Sequence, residues 1–264
     1  MLRVGILCSY RAPGLTDLLT HGHDRSRSFE IVTCITSENS FTDTGVLLAH
    51  GVPLHVHSLR QFYHSKQVPI TDGATRIAYD AETERLLQEY RVDIVVTDAY
   101  LYLLTSTMLR RFQRRIINVH HGDLTLRDAV GRPRLPGLRA VRDAILEGEL
   151  ETRATVHLVS RDVDAGPPFL RSWAFPVSPL VAAARRWQAT DILKAYTYAH
   201  QEWMIRSAWG PLVANALSLI ADGRVNLNIL QHGDYVWELD ETGALLEDDA
   251  WSPTSSSSLV ATVG

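Results

Sequence analysis

Two short apolar runs, Val92–Thr97 and Ile116–Val119, constrain the fold of this chain most strongly. Both are rich in β-branched residues and lack a regular polar–apolar alternation, the pattern of strands buried on both faces of a parallel sheet. Parallel strands need long crossovers, and helical patterns lie between the apolar runs here. Leu2–Cys8, Phe29–Thr36 and Leu54–His57 read as earlier strands, and Thr152–Val159 and Phe169–Val177 as later ones. Helices are expected over Pro13–Leu19, over Thr44–His50 with a stop at Gly51, over Thr75–Tyr90, and over Leu138–Glu147 ending near Gly148. Ser58–Asp72 is polar and without period, hence a loop. Asp191–Ile220 has a long helical pattern, expected to bend or break near Gly210-Pro211, where proline removes an amide donor. The predicted class is α/β: a Rossmann-like wound, mostly parallel sheet with flanking helices.

Beyond Gly223-Arg224, the segments Val225–Leu230 and Tyr235–Leu239 read as a small C-terminal β-hairpin around His232-Gly233-Asp234. Residues 1–224 are thus expected to form one domain, 225–250 a β extension, and 251–264, with its Ser255–Ser258 run, a disordered tail. A formal charge of −4 argues against a general nucleic-acid binder. The cluster Arg110, Arg111, Arg114 and Arg115 reads either as a solvated helix end or as a device that steers an anionic substrate. Cys8 and Cys34 lie in apolar runs and read as buried thiols, with no disulfide framework. No segment approaches a membrane span, so a cytoplasmic chain without a membrane partner is expected. Apolar helix faces fit a homodimer interface or a core equally well.

The chemistry-bearing residues lie where such a sheet delivers side chains to a cleft, at the ends of strands. Asn118 and His120 are two residues apart and so share one face of a strand end. Asp164 lies in the tight loop Asp162-Val163-Asp164-Ala165-Gly166-Pro167 between two strands. An amide can donate to a carbonyl oxygen, an imidazole can donate or carry a proton, and a carboxylate beside it raises the imidazole's proton affinity. Singly, each residue has a bland reading: a turn-capping Asn, a half-exposed His, a turn-forming Asp. His157, mid-strand, reads as a core hydrogen-bonding residue, and His121 as a weaker candidate. His and Cys show no tetrahedral ligand spacing, so no metal is expected.

Taken together, Asn118-Val119-His120, Pro136-Gly137-Leu138, Thr155-Val156-His157, Asp164-Ala165-Gly166-Pro167 and Ala221-Asp222-Gly223-Arg224 resemble the 10-formyltetrahydrofolate-dependent formyltransferases, most like glycinamide ribonucleotide formyltransferase. The resemblance implies that Asn118, His120 and Asp164 are catalytic, with Asn118 and protonated His120 stabilising an oxyanion and Asp164, through an ordered water, helping to move a proton from the amine towards the folate nitrogen. It implies 10-formyltetrahydrofolate as formyl donor, bound against the backbone of Leu101-Tyr102-Leu103-Leu104, near Arg76, Asn118 and Asp164. The acceptor is then a small-molecule primary amine: glycinamide ribonucleotide or a specialised amine such as an amino sugar nucleotide or a secondary-metabolite intermediate.

Three departures fall on the acceptor side. The family's glycine-rich phosphate loop is here Ser9-Tyr10-Arg11-Ala12-Pro13-Gly14, in which Pro13 has no amide and Arg11 offers a charge instead. The loop between His120 and Pro136 is longer and carries Arg127, Asp128, Arg132 and Arg134, suited to a lid or wall. Arg206 stands where the family has an acidic substrate contact, with Glu202 one turn earlier as its replacement. Formylation of initiator tRNA is disfavoured by a short, acidic segment after Gly223. The competing expectations are hydrolysis of the formylfolate and non-catalytic folate binding.

Overall fold

The computed structural model describes residues 1–21 and 28–246. The chain runs β1 (Leu2–Cys8), α1 (Pro13–His21), β2 (Phe29–Thr36), α2 (Thr44–Ala49), β3 (Leu54–Val56), α3 (Leu59–Ser65), α4 (Gly73–Glu89), β4 (Ile94–Thr97), α5 (Ser106–Arg111) and β5 (Ile116–His120). It continues through α6 (Ala140–Glu147), β6 (Glu151–Thr152), β7 (Thr155–Leu158), β8 (Pro168–Arg171), β9 (Phe175–Pro176), α7 (Leu180–Arg186), α8 (Thr190–Ala221) and β10 (Trp237–Glu238). An eight-stranded sheet has the order β10-β8-β7-β5-β4-β1-β2-β3, and β6 pairs with β9 separately. From β5 to β3 every pairing is parallel, whereas β7 runs antiparallel to both β5 and β8. The expected α/β class, with a mostly parallel sheet, is observed. β4 is buried along its whole length, as its unbroken apolar run requires.

The period of two sorts the strands between two cores. Ile6, Ile94, Val96, Ile117 and Val119 face α1, α6 and α8, joining Leu15, Val141, Ile145, Leu212 and Val213. Leu7, Val95 and Ile116 face the other way, joining Leu87 of α4 and Met108 of α5. The C-terminal ends of β1, β4 and β5 therefore open onto a cleft with α4 and α5 on one side and α8 on the other.

Three local expectations differ from the structure. Ser58–Asp72 contains α3, started by Ser58, whose hydroxyl accepts from the Gln61 amide at 3.3 Å. Asp72 in turn caps α4 by accepting from Thr75 N at 2.7 Å. The Pro211 break is absent, since α8 is one helix of 32 residues. Ala208–Ala214 are all buried where α8 packs on α1, α6 and the sheet, a tertiary environment that carries the helix through the proline over local propensity. The C-terminal hairpin is also absent. Asn226 Oδ1 accepts from Asn228 N at 3.0 Å and its carbonyl accepts from Ile229 and Leu230, so that segment turns instead of extending. Trp237–Glu238 adds parallel to β8, and Leu239 bridges Leu245. The predicted tail, 251–264, lies outside the described residues.

Arg114 and Arg115 of the basic cluster are structural. Arg114 donates from Nε to the Leu227 carbonyl at 2.6 Å and from Nη2 to that of Leu230, anchoring the C-terminal extension. Arg115 donates to the carbonyls of Arg111 and Asp93. Cys8 and Cys34 are buried free thiols. Among the described residues, no helix is long and apolar enough to cross a membrane.

Candidate active site

Three adjacent strands meet at one point. Parallel β4–β5 pairing sets Thr97 beside Asn118, and antiparallel β5–β7 pairing sets His157 opposite Asn118. Thr97 Oγ1 donates to Asn118 Oδ1 at 2.7 Å, which fixes the amide orientation. Asn118 Nδ2 then lies 3.1 Å from His157 Nε2. An amide nitrogen carries two protons, so one remains for a group in the cleft.

His120 donates from Nε2 to the Leu135 carbonyl at 2.8 Å, leaving Nδ1 3.4 Å from Asp164 Oδ2. Asp164 Oδ2 accepts from the Gly137 amide at 2.7 Å, and its Oδ1 lies 3.5 Å from His157 Nε2. Asp164 itself has φ of +50°, a left-handed conformation that Asp tolerates better than most residues. The structure thus brings the three predicted residues together in one cluster, joined by the Asn118–His157 hydrogen bond and by close contacts of Asp164 with both histidines.

Burial pushes the His120 imidazole down to about 4, more than the neighbouring Asp164 charge raises it, and His121 adds to the depression. The imidazole is therefore neutral near pH 7, and the expected protonated His120 is corrected: burial outweighs the carboxylate. Burial also pushes Asp164 upward, but His157, His120 and the Gly137 amide more than offset this and hold it below the usual carboxylate range. A neutral imidazole acceptor thus faces an ionised carboxylate. A proton arriving at Nδ1 would be shared with Asp164 in a charge-assisted hydrogen bond.

This has a consequence for stability. The folded state binds a proton at His120 less readily than the unfolded chain, whose ordinary value is 6.5. Its contribution is complete above 6.5 and lost as pH falls toward about 4. Asp98 acts oppositely, because burial raises its carboxyl from 3.8 to about 7 and the folded state then binds the proton more tightly. Its contribution is present below 3.8 and lost as pH rises through about 7. Denaturation midpoints measured from pH 7.5 to 5 should therefore show a shallower acid loss in His120→Asn and a steeper one in Asp98→Asn than in the native chain. Parallel profiles for all three proteins would contradict both assignments.

A cavity of about 710 Å³ opens over the cluster. Asn118, His120, His157, Asp164, the whole of Leu101–Leu104 and Arg11 line it. Within the loop, Leu101 N donates to Ser9 Oγ at 3.1 Å and the Leu103 carbonyl accepts from Arg76 Nη2 at 2.6 Å. Among the described residues the amides of Leu103 and Leu104 and the carbonyls of Tyr102 and Leu104 make no hydrogen bond. They are the kind of paired donors and acceptors that the edge of a pterin requires, so the loop fits the group that the resemblance implies.

Other predicted contacts are placed differently. Arg76 is not a cavity-lining residue: it pairs with fully buried Asp80, which also accepts from Thr105 N at 2.6 Å, so it braces the loop from behind. Arg11 is held by two hydrogen bonds to Glu202. Arg206 is 80% exposed and 3.8 Å from Glu202 Oε2, outside the cavity wall. The charges of the 123–135 loop are spent locally. Asp128 holds Arg132, Arg134 holds Glu147 and Glu149, and Arg127 contacts His232 of the extension. The loop reaches the site through the Leu135 carbonyl, which fixes the His120 tautomer.

Sequence reasoning missed Thr97 and undervalued His157. The signal that could have found them is register, since both stand directly beside Asn118 in the sheet, and register across an antiparallel pair is not written in either strand alone.

Residues 2–189 match the formyl transferase family. The chain belongs to that family. The resemblance read from its motifs is therefore borne out. A trifunctional purine biosynthetic protein adenosine-3 of Drosophila melanogaster is 27% identical over 179 residues, 67% of this chain but 12% of that much longer protein. A formyltetrahydrofolate deformylase of Haemophilus influenzae is 23% identical over 170 residues, 64% of this chain and 53% of that one. Among solved structures, glycinamide ribonucleotide transformylase 1 of Symbiobacterium toebii superposes with a TM-score of 0.63 at 26% identity, covering 89% of this chain and 93% of that one. This formyl transferase family member thus keeps the fold of its relatives at low identity.

Proposed function

We propose that this chain transfers a formyl group from 10-formyltetrahydrofolate to a small primary amine. The observation that carries the reading is the cluster of Asn118, His120 and Asp164 at the floor of a cavity whose rim is the Leu101–Leu104 backbone. When bound, the donor supplies a formyl carbon on an aryl amine nitrogen, and everything else is the work of this chain's residues. The free amide proton of Asn118 meets negative charge growing on the formyl oxygen, in the manner of an oxyanion hole. His120 Nδ1, unprotonated and backed by Asp164, accepts the proton that the attacking amine must lose. The same proton is available to the departing nitrogen, so one new C–N bond forms, one breaks and charge balances. His157 and Thr97 position the Asn118 amide, and Arg76 positions the loop.

Calorimetric titration with a stable 10-formylfolate analogue tests the donor side. Saturable binding is expected for the native chain. Leu104→Arg, which places a long charged side chain at the rim, should weaken it at least about tenfold. Arg76→Lys keeps the charge but loses the planar fork that grips Asp80 and the Leu103 carbonyl together. It should raise KM for the donor by about three- to tenfold with little change in kcat. No binding to the native chain at concentrations far above those needed for folate enzymes would sink the reading. The likeness to a deformylase supports one rival, attack by water. Formate released at a rate indifferent to any added amine would establish it.

A further inference from the structure

The cavity's two sides differ in chemistry. Along the Leu101–Leu104 loop it offers uncommitted backbone groups. Along α8 and the β1–α1 loop, the groups able to take an anion are already engaged by carboxylates of this chain. Arg11 lines the cavity, and both its terminal nitrogens bond Glu202, one at 2.9 Å. The first amides of α1, a natural anion site, point at a carboxylate instead. Asp98, fully buried, accepts at Oδ2 from Leu15 N at 2.8 Å and from Gly14 N. Pro13 contributes no amide at all. The wall that remains is Tyr10, Tyr198, Gln201, Ile205 and Trp209. These side chains are neutral, and three are aromatic. The Trp209 indole N–H is a buried donor with no hydrogen-bond partner among the described residues.

A phosphate entering this side would find the Arg11 guanidinium already paired with Glu202 and the first α1 amides already committed to Asp98. A neutral ring finds aromatic faces to pack on and an amide in Gln201, which is how aromatic walls hold uncharged polar rings. Resting on the formyl-transfer reading, we infer that the acceptor is a primary amine carried on an uncharged, ring-containing body without a phosphate group. The Arg11–Glu202 pair, closed across the gap between the β1–α1 loop and α8, is the specificity determinant.

The test uses the full chain and Glu202→Gln, each first shown to bind the 10-formylfolate analogue. Absence of that binding in the native chain counts against formyl transfer itself and is thereby told apart from failure of the acceptor inference. Inorganic phosphate is then titrated against both analogue-bound proteins. The native chain should show no saturable phosphate binding in the millimolar range. Glu202→Gln, which frees the Arg11 guanidinium, should gain affinity of at least about tenfold, and Arg11→Met added to it should abolish the gain. A matched pair of acceptors, glycinamide riboside and its 5′-phosphate, gives the kinetic counterpart, with the riboside used at least as well as the phosphate. Saturable phosphate binding to the native chain, an unchanged Glu202→Gln, or a preference of about tenfold for the phosphorylated acceptor would each overturn the inference.

Discussion

Asp164→Asn is expected to lower kcat for formyl transfer by about 10²–10⁴-fold, the range for a positioned proton-transfer group, with donor affinity close to native. The choice of Asn matters. Asp164 has φ of +50°, and Asn occupies that left-handed conformation nearly as readily, so the backbone keeps its shape. The side-chain oxygen can still accept from the Gly137 amide, now 2.7 Å away. What is lost is the negative charge 3.4 Å from His120 Nδ1. Without it, burial is the dominant influence on His120, and an imidazolium formed during the reaction has no counter-charge. The loss should therefore fall on kcat and kcat/KM together, the signature of an interaction made only as the bond forms. A loss smaller than about tenfold would show that Asp164 serves only to shape the loop.

How much of this was legible in the sequence divides along physical lines. Central strands are buried on both faces and announce themselves by composition, so Ile94–Thr97 and Ile116–His120 fell where their apolar runs placed them. Asn118 and His120 were readable as partners because a strand's period of two is local. The antiparallel turn of β7 against β5 is not local. It depends on a connection of some thirty residues through α6, and it alone puts His157 against Asn118. The protonation of His120 was misread for a related reason. A neighbouring carboxylate is visible in a motif, whereas complete burial is a property of the assembled cleft, and here burial is the larger influence. Arg76 and Arg11 were located near the site, but their charges are spent on Asp80 and Glu202, partners that lie on α4 and α8. At Pro211 the helix does not break, because the buried surroundings of Ala208–Ala214 hold the turn that has lost its amide bond.

Two glycines separate structural tightness from catalytic geometry. A Cβ built on Gly166 would lie 1.7 Å from the Leu158 carbonyl oxygen and 2.8 Å from its carbon. Both are backbone atoms, and Leu158 is itself tied across the turn by its amide bond to the Pro167 carbonyl at 3.0 Å. Nothing there can rotate away, so Gly166→Ala must displace the 162–167 loop or open the β7–β8 pairing. The expected cost is about 3 kcal/mol of stability, and the displaced loop carries Asp164 away from His120. At Gly210 the corresponding Cβ would also meet an atom at 1.7 Å, but that atom is Asp17 Oδ2, the end of a side chain. The carboxylate can rotate if it gives up its contact with His21, but Asp17 Cβ at 2.8 Å requires a small shift of α1, partly offset by the roughly 1 kcal/mol that alanine gains in helix propensity over glycine. Gly210→Ala should therefore cost about 1–2 kcal/mol, less than Gly166→Ala, and leave kcat near native. Chemical denaturation with parallel transfer assays checks the contrast. Equal losses in the two variants would mean that the Gly166 contact yields as easily as a surface carboxylate, and that Asp164 does not owe its position to the backbone beneath it.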